Sequence, residues 1–264
     1  MASTSLLRKS LEHALTRREL PAVAEELAEL STPFLRVSGL ASCGRRQTFA
    51  MQGAQPTLPS FEGTIMMIQG DWGEEGMRKL LAESGYQFRD AQRELSHHNE
   101  QGIEVLRGHI DGLIGFDGGV LGTEWHLWEN KMMSAFRYKK LAKADSIKAE
   151  SPEYYTQVQL YMHLLREQGE EIESCLFTAV AKDPSAVNMG VKGERLNPVY
   201  IEEILYDQPF ALEQLQRAEA IHKTGSAGYL WPHERNPLKD WDCSERFCPF
   251  FSKCDPKSTA RRAA

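Results

Sequence analysis

The chain of 264 residues has no apolar run long enough to span a membrane. Its opening residues, MASTSLLRKSLEHAL, contain no apolar core of the kind found in signal peptides. It also has no internal repeat and no low-complexity tract. From these absences we expect a globular protein of the cytoplasm (the host cytoplasm, if the source is viral) without a membrane partner.

Cysteine is scarce, with five residues in the chain, and net charge is low, at −6. Inside a cell, cysteines serve more often as thiols or metal ligands than as disulfides. The negative total argues against broad adhesion to nucleic acids, although a local patch can still bind them. One such patch extends from Lys131 to Lys148, where six basic residues and one acid give a net charge of +5.

Apolar periodicity predicts helices over 4–30, 64–84, 135–145, 152–168 and 199–222, with a short helix near Cys43. It predicts strands over 86–95, 103–116, 124–133, 174–182 and 187–196. Gly85 should close one helix, while Ser151 can cap another and Pro152 suits its first position. This order predicts one α/β domain with a mixed sheet over 36–255, a helical N-terminal extension over 1–35 and a flexible tail over 256–264.

The segment WENK places Glu129 and Lys131 on the same face of a predicted strand. The preceding strand carries GHIDG, and a turn centred on position 120 would set Asp111 opposite Glu129. Two adjacent carboxylates repel unless a cation or proton lies between them, and hard oxygen ligands favour Mg²⁺ or Mn²⁺. Lys131 would then orient a water molecule or stabilise charge on a phosphate. Alone, an E-x-K sequence is more often a solvated strand edge.

The segment QVQLY adds Gln157 and Tyr161, four residues apart and therefore on one helical face. Asp, then Glu-x-Lys, then a helix with Q-x-x-x-Y resembles the RecB-type branch of the PD-(D/E)xK nucleases. The likeness extends over residues 36–255 and includes the CRISPR-associated iron–sulfur members. It implies a restriction-endonuclease-like fold, in which a mixed sheet is flanked by helices and a cysteine-rich C-terminal tail closes onto the N-terminal part.

The resemblance also implies roles for single residues. Asp111 and Glu129 would bind the metal, the Asn130 carbonyl would be a third ligand, and an upstream acid, Glu74 or its neighbour Glu75, would complete the site. Lys131 would act on the attacking water, and Gln157 and Tyr161 would steady the DNA or the lysine. The basic helix would follow DNA phosphates through a set of four side chains: Arg137, Lys139, Lys140 and Lys143.

Three of the five cysteines crowd into the polar tail DCSERFCPFFSKCDP, and Cys43 lies far upstream. Four thiolates, from Cys43, Cys243, Cys248 and Cys254, can hold Zn²⁺ or an iron–sulfur cluster. The resemblance favours a structural [4Fe–4S] cluster. Cys175, within the predicted strand SCLFTAV, is expected to lie in the core.

The leading hypothesis is a metal-dependent DNA exonuclease that prefers single strands or duplex ends and degrades them 5′→3′. One alternative is a catalytically silent DNA-binding adaptor with the same fold, and another is a zinc-stapled nucleic-acid-binding module. Because the chain has no G-x-x-x-x-G-K-[ST] motif, unwinding would require a partner, such as a helicase or a recombination or CRISPR-adaptation protein.

Overall fold

The computed structural model describes residues 33–117, 123–188, 196–236, 239–240 and 242–254. The predicted helices over 4–30 and the predicted tail over 256–264 lie outside these residues. The strands are β1 (Leu35–Arg36), β2 (Gln87–Arg89), β3 (Glu94–His98), β4 (Glu104–His109), β5 (Gly112–Asp117), β6 (Thr123–Met133), β7 (Ser174–Ala181) and β8 (Val199–Leu205). The helices are α1 (Val37–Leu40), α2 (Gly44–Met51), α3 (Phe61–Glu83), α4 (Ala135–Ala144), α5 (Ile147–Glu150), α6 (Pro152–Glu167), α7 (Pro184–Asn188), α8 (Gln208–Ser226) and α9 (Phe251–Cys254).

The larger of two sheets has five strands in the order β2-β5-β6-β7-β8. β6 and β7 run parallel, and the other neighbouring pairs run antiparallel. The smaller sheet has the order β1-β4-β3. A mixed sheet flanked by helices confirms the predicted fold class.

Helix α6 is the buried centre of this arrangement, because every residue from Tyr155 to Leu165 is buried. A helix that is apolar or buried on all sides must be covered by other elements, and α6 packs against β3, β6 and β7. Pro152 occupies its first turn, as predicted. Ser151 occupies the N-cap position, but its side chain makes no capping hydrogen bond and instead accepts one from Arg137 at 3.4 Å.

The described chain divides into two compact units. One is formed by the stretch up to Leu35, by Ser42–Gln69 and by Ala220–Ala264, and the other by Arg36–Ala41 and Gly70–Glu219. In the first unit, Phe49 of α2 stacks on the buried Phe250 with 5.6 Å between ring centroids, and Thr57 N donates to Pro249 O at 2.6 Å. The cysteine-rich tail thus closes onto α2. No described helix is both long and apolar enough to cross a membrane.

Two strands predicted in the N-terminal half were wrong in part. The single strand over 86–95 is two strands, β2 and β3, separated by a turn in which Asp90 and Gln92 have positive φ. The single strand over 103–116 is likewise two strands, β4 and β5, which belong to different sheets. Each break follows from backbone turns that apolar alternation does not detect.

The C-terminal half contains the other errors. The predicted strand over 187–196 begins in helix α7, and its residues 189–195 lie outside the described part. The predicted helix over 199–222 is strand β8 followed by α8. Buried Tyr200 and Ile204 alternate with exposed Ile201 and Leu205, which is a strand pattern. Asp207 Oδ1 then accepts from Phe210 N at 3.2 Å and fixes the true helix start.

Candidate active site and cysteine cluster

The β5–β6 pairing sets Asp111 beside Glu129 in the predicted register. Gly112 pairs with Trp128, and Leu113 pairs with Leu127. Asp111 is the next residue beyond this ladder, and its Oδ2 accepts from the backbone N–H of Asn130 at 2.7 Å. The turn that joins the two strands falls in residues 118–122, outside the described part. The pairing of β5 with β6 therefore confirms the register predicted between these two strands.

Gly112 explains how the chain delivers Asp111 to this position. Its φ of +151° is a conformation that side-chain-bearing residues rarely adopt, and it lies where the chain passes from β4 into β5. An added Cβ would also approach the backbone oxygen of Arg89 to 3.4 Å. The final glycine of GHIDG thus lets Asp111 lie at the end of the ladder.

Glu129 is the fully buried centre of the site, with no exposed surface. Its Oε1 forms an ion pair with Lys131 and accepts from Gln157 Nε2 at 2.8 Å. Its Oε2 is buried and has no hydrogen-bond partner among the described residues. Because unpaired buried carboxylate oxygens are costly, this atom is the one in the site best suited to bind a cation.

Two tyrosines of α6 flank the lysine. The ring of Tyr154 lies 5.6 Å from Lys131 Nζ and 5.1 Å from the Arg137 guanidinium carbon. Tyr161 is buried, and an added Cβ on Gly108 would lie 2.7 Å from its hydroxyl, so Gly108 leaves room for it. Gln157 thus faces Glu129 of β6 and Tyr161 faces Gly108 of β4, and sequence reasoning missed Tyr154.

The upstream acid that faces this group is Glu74 of α3. Its Oε1 accepts from Gln92 Nε2 at 2.9 Å, and its charge acts on Asp111 and Lys131, whereas Glu75 is exposed. α3 can approach β6 here because Gly73 has no side chain. An added Cβ would come within 2.2 Å of Met132. Sequence reasoning missed Gln92, which no motif marks.

Burial raises the pKa of all three carboxylates, and the charge of Asp111 raises the pKa of Glu129 and of Glu74 further. The pKa of Glu129 rises to about 8 and that of Glu74 to about 7, while the pKa of Asp111 also rises. Burial lowers the pKa of Lys131, but Glu129 and Asp111 raise it by more, so it stays protonated. One ammonium therefore faces three acids, and the site is short of positive charge.

This donor set fits a hard divalent cation, because it offers carboxylate oxygens with raised pKa values and one oxygen without a partner. Arg78, one turn after Glu74 on α3, supplies a second positive charge near Asp111 and Glu74. Across the described ranges, no three His, Cys, Asp or Glu side chains already surround a point where a metal ion could bind. The acids would have to close around the cation.

The four predicted ligand cysteines line one small cavity of about 20 Å³ in the first unit. Burial raises the pKa of Cys243 to about 11, with Cys248, Cys43 and Cys254 adding to the rise. Thiols that raise one another's pKa are close enough to interact, and a thiophilic cation would reverse the effect. The fifth cysteine, Cys175, is fully buried in β7, as predicted.

The basic helix α4 begins directly after the site, at Ser134, whose hydroxyl caps Arg137 N. Arg137 forms an ion pair with Glu153 and donates a hydrogen bond to the Tyr154 hydroxyl. Lys140 and Lys143 are exposed, whereas Lys139 is half-buried. Phe136 is 70% exposed and lies 4.9 Å from Lys140 Nζ, measured to its ring centroid. Of the four predicted DNA-binding residues, Lys140 and Lys143 are the most accessible.

Neither a protein-family model nor a curated protein matches the sequence. Among solved structures, the alkaline exonuclease LHK-Exo from Laribacter hongkongensis is similar, with a TM-score of 0.52 and 18% identity over 78% of this chain and 93% of that chain. The same exonuclease in complex with dAMP gives a TM-score of 0.51 and 18% identity over 77% and 93% of the two chains. A phage related exonuclease from Haemophilus somnus 129PT gives a TM-score of 0.46 and 15% identity, over 74% of this chain and 94% of that chain. The chain therefore shares the fold of an alkaline exonuclease.

Proposed function

We propose that this protein is a metal-dependent DNA exonuclease that hydrolyses phosphodiester bonds, prefers single strands and proceeds 5′→3′. The observation that carries the proposal is that Asp111, Glu129 and Lys131 lie together at the end of the β5–β6 ladder, and that Oε2 of Glu129 is buried without a hydrogen-bond partner among the described residues. An exonuclease fold, shared with an enzyme whose structure includes dAMP, supports DNA as the substrate. A catalytically silent adaptor would not need to retain both acids and the lysine.

In this proposal, Mg²⁺ or Mn²⁺ is held by Asp111, Glu129 and the Asn130 carbonyl, with Glu74 acting directly or through water. When bound, the ion would polarise a phosphoryl oxygen and lower the pKa of a water molecule.

The protein's own residues prepare this site. Gln157 and Lys131 both engage Oε1 of Glu129, which fixes the carboxylate and leaves Oε2 for the cation. The side chain of Lys131 is 23% exposed, so its ammonium can reach a substrate phosphate and stabilise negative charge there. The ring of Tyr154 supports the lysine from the side.

Digestion of end-labelled DNA tests the activity. Single-stranded and duplex DNA, labelled at the 5′ or the 3′ end, is incubated with the protein in Mn²⁺ or in EDTA. Mn²⁺-dependent release of mononucleotides, lost in Lys131→Ala and kept in Lys79→Ala, is expected. Lys79 is an exposed lysine on α3 and serves as the matched control. Tight DNA binding without cleavage by the unmodified protein would overturn the proposal in favour of the adaptor.

We also propose that α4 guides the DNA strand through Lys140 and Lys143. Each lysine–phosphate contact to a single strand contributes about 0.7 to the slope of log affinity against log salt concentration. The double replacement by alanine should therefore lower that slope by about 1.4. An unchanged slope would remove α4 from the DNA path.

For the cysteine cavity, we propose a structural [4Fe–4S] cluster, with Zn²⁺ as the competing occupant. The four free thiols around one cavity support a thiolate-bound metal. Iron with sulfide and a brown colour would identify the cluster, whereas zinc without colour would identify the alternative. Cys43→Ala should lose the metal and thermal stability, and the core variant Cys175→Ala should keep the metal. A Cys43→Ala protein with full metal content would contradict both the iron–sulfur and the zinc form of the proposal.

A further inference from the structure

A second group of metal-ligating side chains lies outside the proposed active site. His97 comes from β3, and His163 and Glu167 lie one turn apart on α6. Glu219 comes from α8, and Tyr206 lies between β8 and α8. No motif in the sequence marks these residues, which are separated by up to 122 positions.

In each imidazole of this group, one ring nitrogen contacts a polar side chain. His97 Nε2 lies 3.2 Å from Glu219 Oε1, and His163 Nδ1 lies 2.7 Å from the Tyr206 hydroxyl. Histidines that bind metals are oriented in this way, with the non-ligating nitrogen bonded to a carboxylate or another polar group. The two rings are therefore fixed with their other nitrogens directed elsewhere.

The other ring nitrogens, Nδ1 of His97 and Nε2 of His163, both face the carboxylate of Glu167. His97 Nδ1 is 3.7 Å from Oε2, and His163 Nε2 is 3.5 Å from Oε1. Both distances are too long for good hydrogen bonds. His163 is only 7% exposed, and its Nε2 has no hydrogen-bond partner within the described part of the chain. A buried nitrogen of this kind indicates a missing ligand.

We propose that His97 Nδ1, His163 Nε2 and the Glu167 carboxylate bind a transition-metal cation of the Zn²⁺ class. In a tetrahedral zinc site with bonds of about 2.0–2.1 Å, neighbouring ligand atoms are about 3.4 Å apart, and each histidine nitrogen already lies 3.5–3.7 Å from one of the two oxygens of Glu167. Burial lowers the pKa of His163, with Glu167 opposing and His97 and Arg166 adding to the effect, so the neutral, metal-binding imidazole is favoured. The three groups do not yet surround a common point, but Glu167 is 44% exposed and free to turn.

This set leaves a fourth position for water, as in zinc sites built from two histidines and a glutamate. The bound ion would join β3 of the small sheet to α6. Arg166, the nearest opposing charge, is paired with Glu173 at 2.6 Å and lies over the Tyr206 ring at 4.9 Å. Its charge is therefore partly neutralised. We expect the ion to stabilise the folded protein, since it binds only where β3 and α6 meet.

Zinc titration of the full-length, metal-stripped protein tests the site. After addition of Zn²⁺ and gel filtration, the unmodified protein should retain one more zinc per chain than His163→Gln or Glu167→Gln. Glu219→Gln should retain the site with about 10- to 100-fold weaker affinity, as expected for an outer partner. His98→Gln, an exposed histidine on the same strand, is the matched control and should bind as the unmodified protein does.

The same samples separate this site from the others. Zinc should raise the thermal unfolding midpoint of the unmodified protein and of Lys131→Ala by more than that of Glu167→Gln, in which only the other thiol and carboxylate sites can respond. Without zinc, Glu167→Gln should unfold at nearly the normal temperature, because that side chain is exposed. Equal zinc content in the unmodified protein, His163→Gln and Glu167→Gln would overturn the proposal. So would an equal loss in His98→Gln, which would show adventitious binding to surface histidines.

Discussion

Replacing Glu129 with glutamine should make the metal-free protein more stable while abolishing DNA cleavage. The pKa of Glu129 is about 8 in the folded protein, compared with an ordinary value of 4.5, first because of burial and then because of Asp111. Each pKa unit corresponds to about 1.4 kcal/mol, so keeping this carboxylate charged costs at most about 5 kcal/mol. That figure already includes the attraction to Lys131. Glutamine, which resembles the protonated acid, avoids this cost.

The sign of the pH dependence follows from the direction of the shift. Since the folded state holds this proton more tightly than the unfolded state, the stability of the metal-free protein falls as pH rises from about 4.5 to 8. In the Glu129→Gln variant this contribution is absent. The stability advantage of the variant should therefore be small near pH 5 and largest above pH 8.

Thermal unfolding in EDTA between pH 5 and 9 measures the effect. A gain of about 2 kcal/mol should raise the midpoint by roughly 4–8 °C in a protein of this size. Glu124→Gln, an exposed acid on the same strand, is the control and should change the midpoint little. Added Mn²⁺ should stabilise the unmodified protein more than the variant. A variant less stable than the unmodified protein at every pH would refute the electrostatic reasoning.

Gly70→Ala should stabilise the protein by about 1 kcal/mol, because the position is helical and has open space. Gly73→Ala, on the same helix, should instead cost about 1–3 kcal/mol through its clash with Met132, and urea unfolding compares the two. Gln157→Ala should lower nuclease activity about 10- to 100-fold at a cost of only about 1 kcal/mol in stability, because Lys131 still pairs with the same oxygen of Glu129. Gln159→Ala should cost about 3 kcal/mol with little loss of activity per folded molecule, because its amide bonds only the backbone of Leu205 and Asp207. Equal effects of Gln157→Ala and Gln159→Ala on activity and stability would contradict this assignment of roles.

The relative placement of the candidate residues followed from the sequence where short-range periodicity controls it. Alternation along β6 put Glu129 and Lys131 on one face, and the length of the connection set Asp111 opposite Glu129. Helical spacing aligned Gln157 with Tyr161. These relationships depend only on strand and helix geometry, which local sequence specifies.

Other features were not predictable because they depend on the backbone path or on contacts distant in sequence. The break between β4 and β5 depends on the φ of Gly112, and strand β8 was mistaken for a helix because only two residues separate it from α8. Gln92 and Arg78 reach the acids from elements that carry no recognisable motif.

The sequence by itself determined the fold class and the order of the acidic, lysine and glutamine motifs. It also identified the four cysteines that could share one site. Only the tertiary structure decided that Glu74, and not Glu75, faces Asp111, that one oxygen of Glu129 has no hydrogen-bond partner among the described residues, and that His97 and His163 both face Glu167. The physical reason is that periodicity fixes which way a side chain points within its own element. Burial, pKa and metal binding depend on which other elements pack against that side chain.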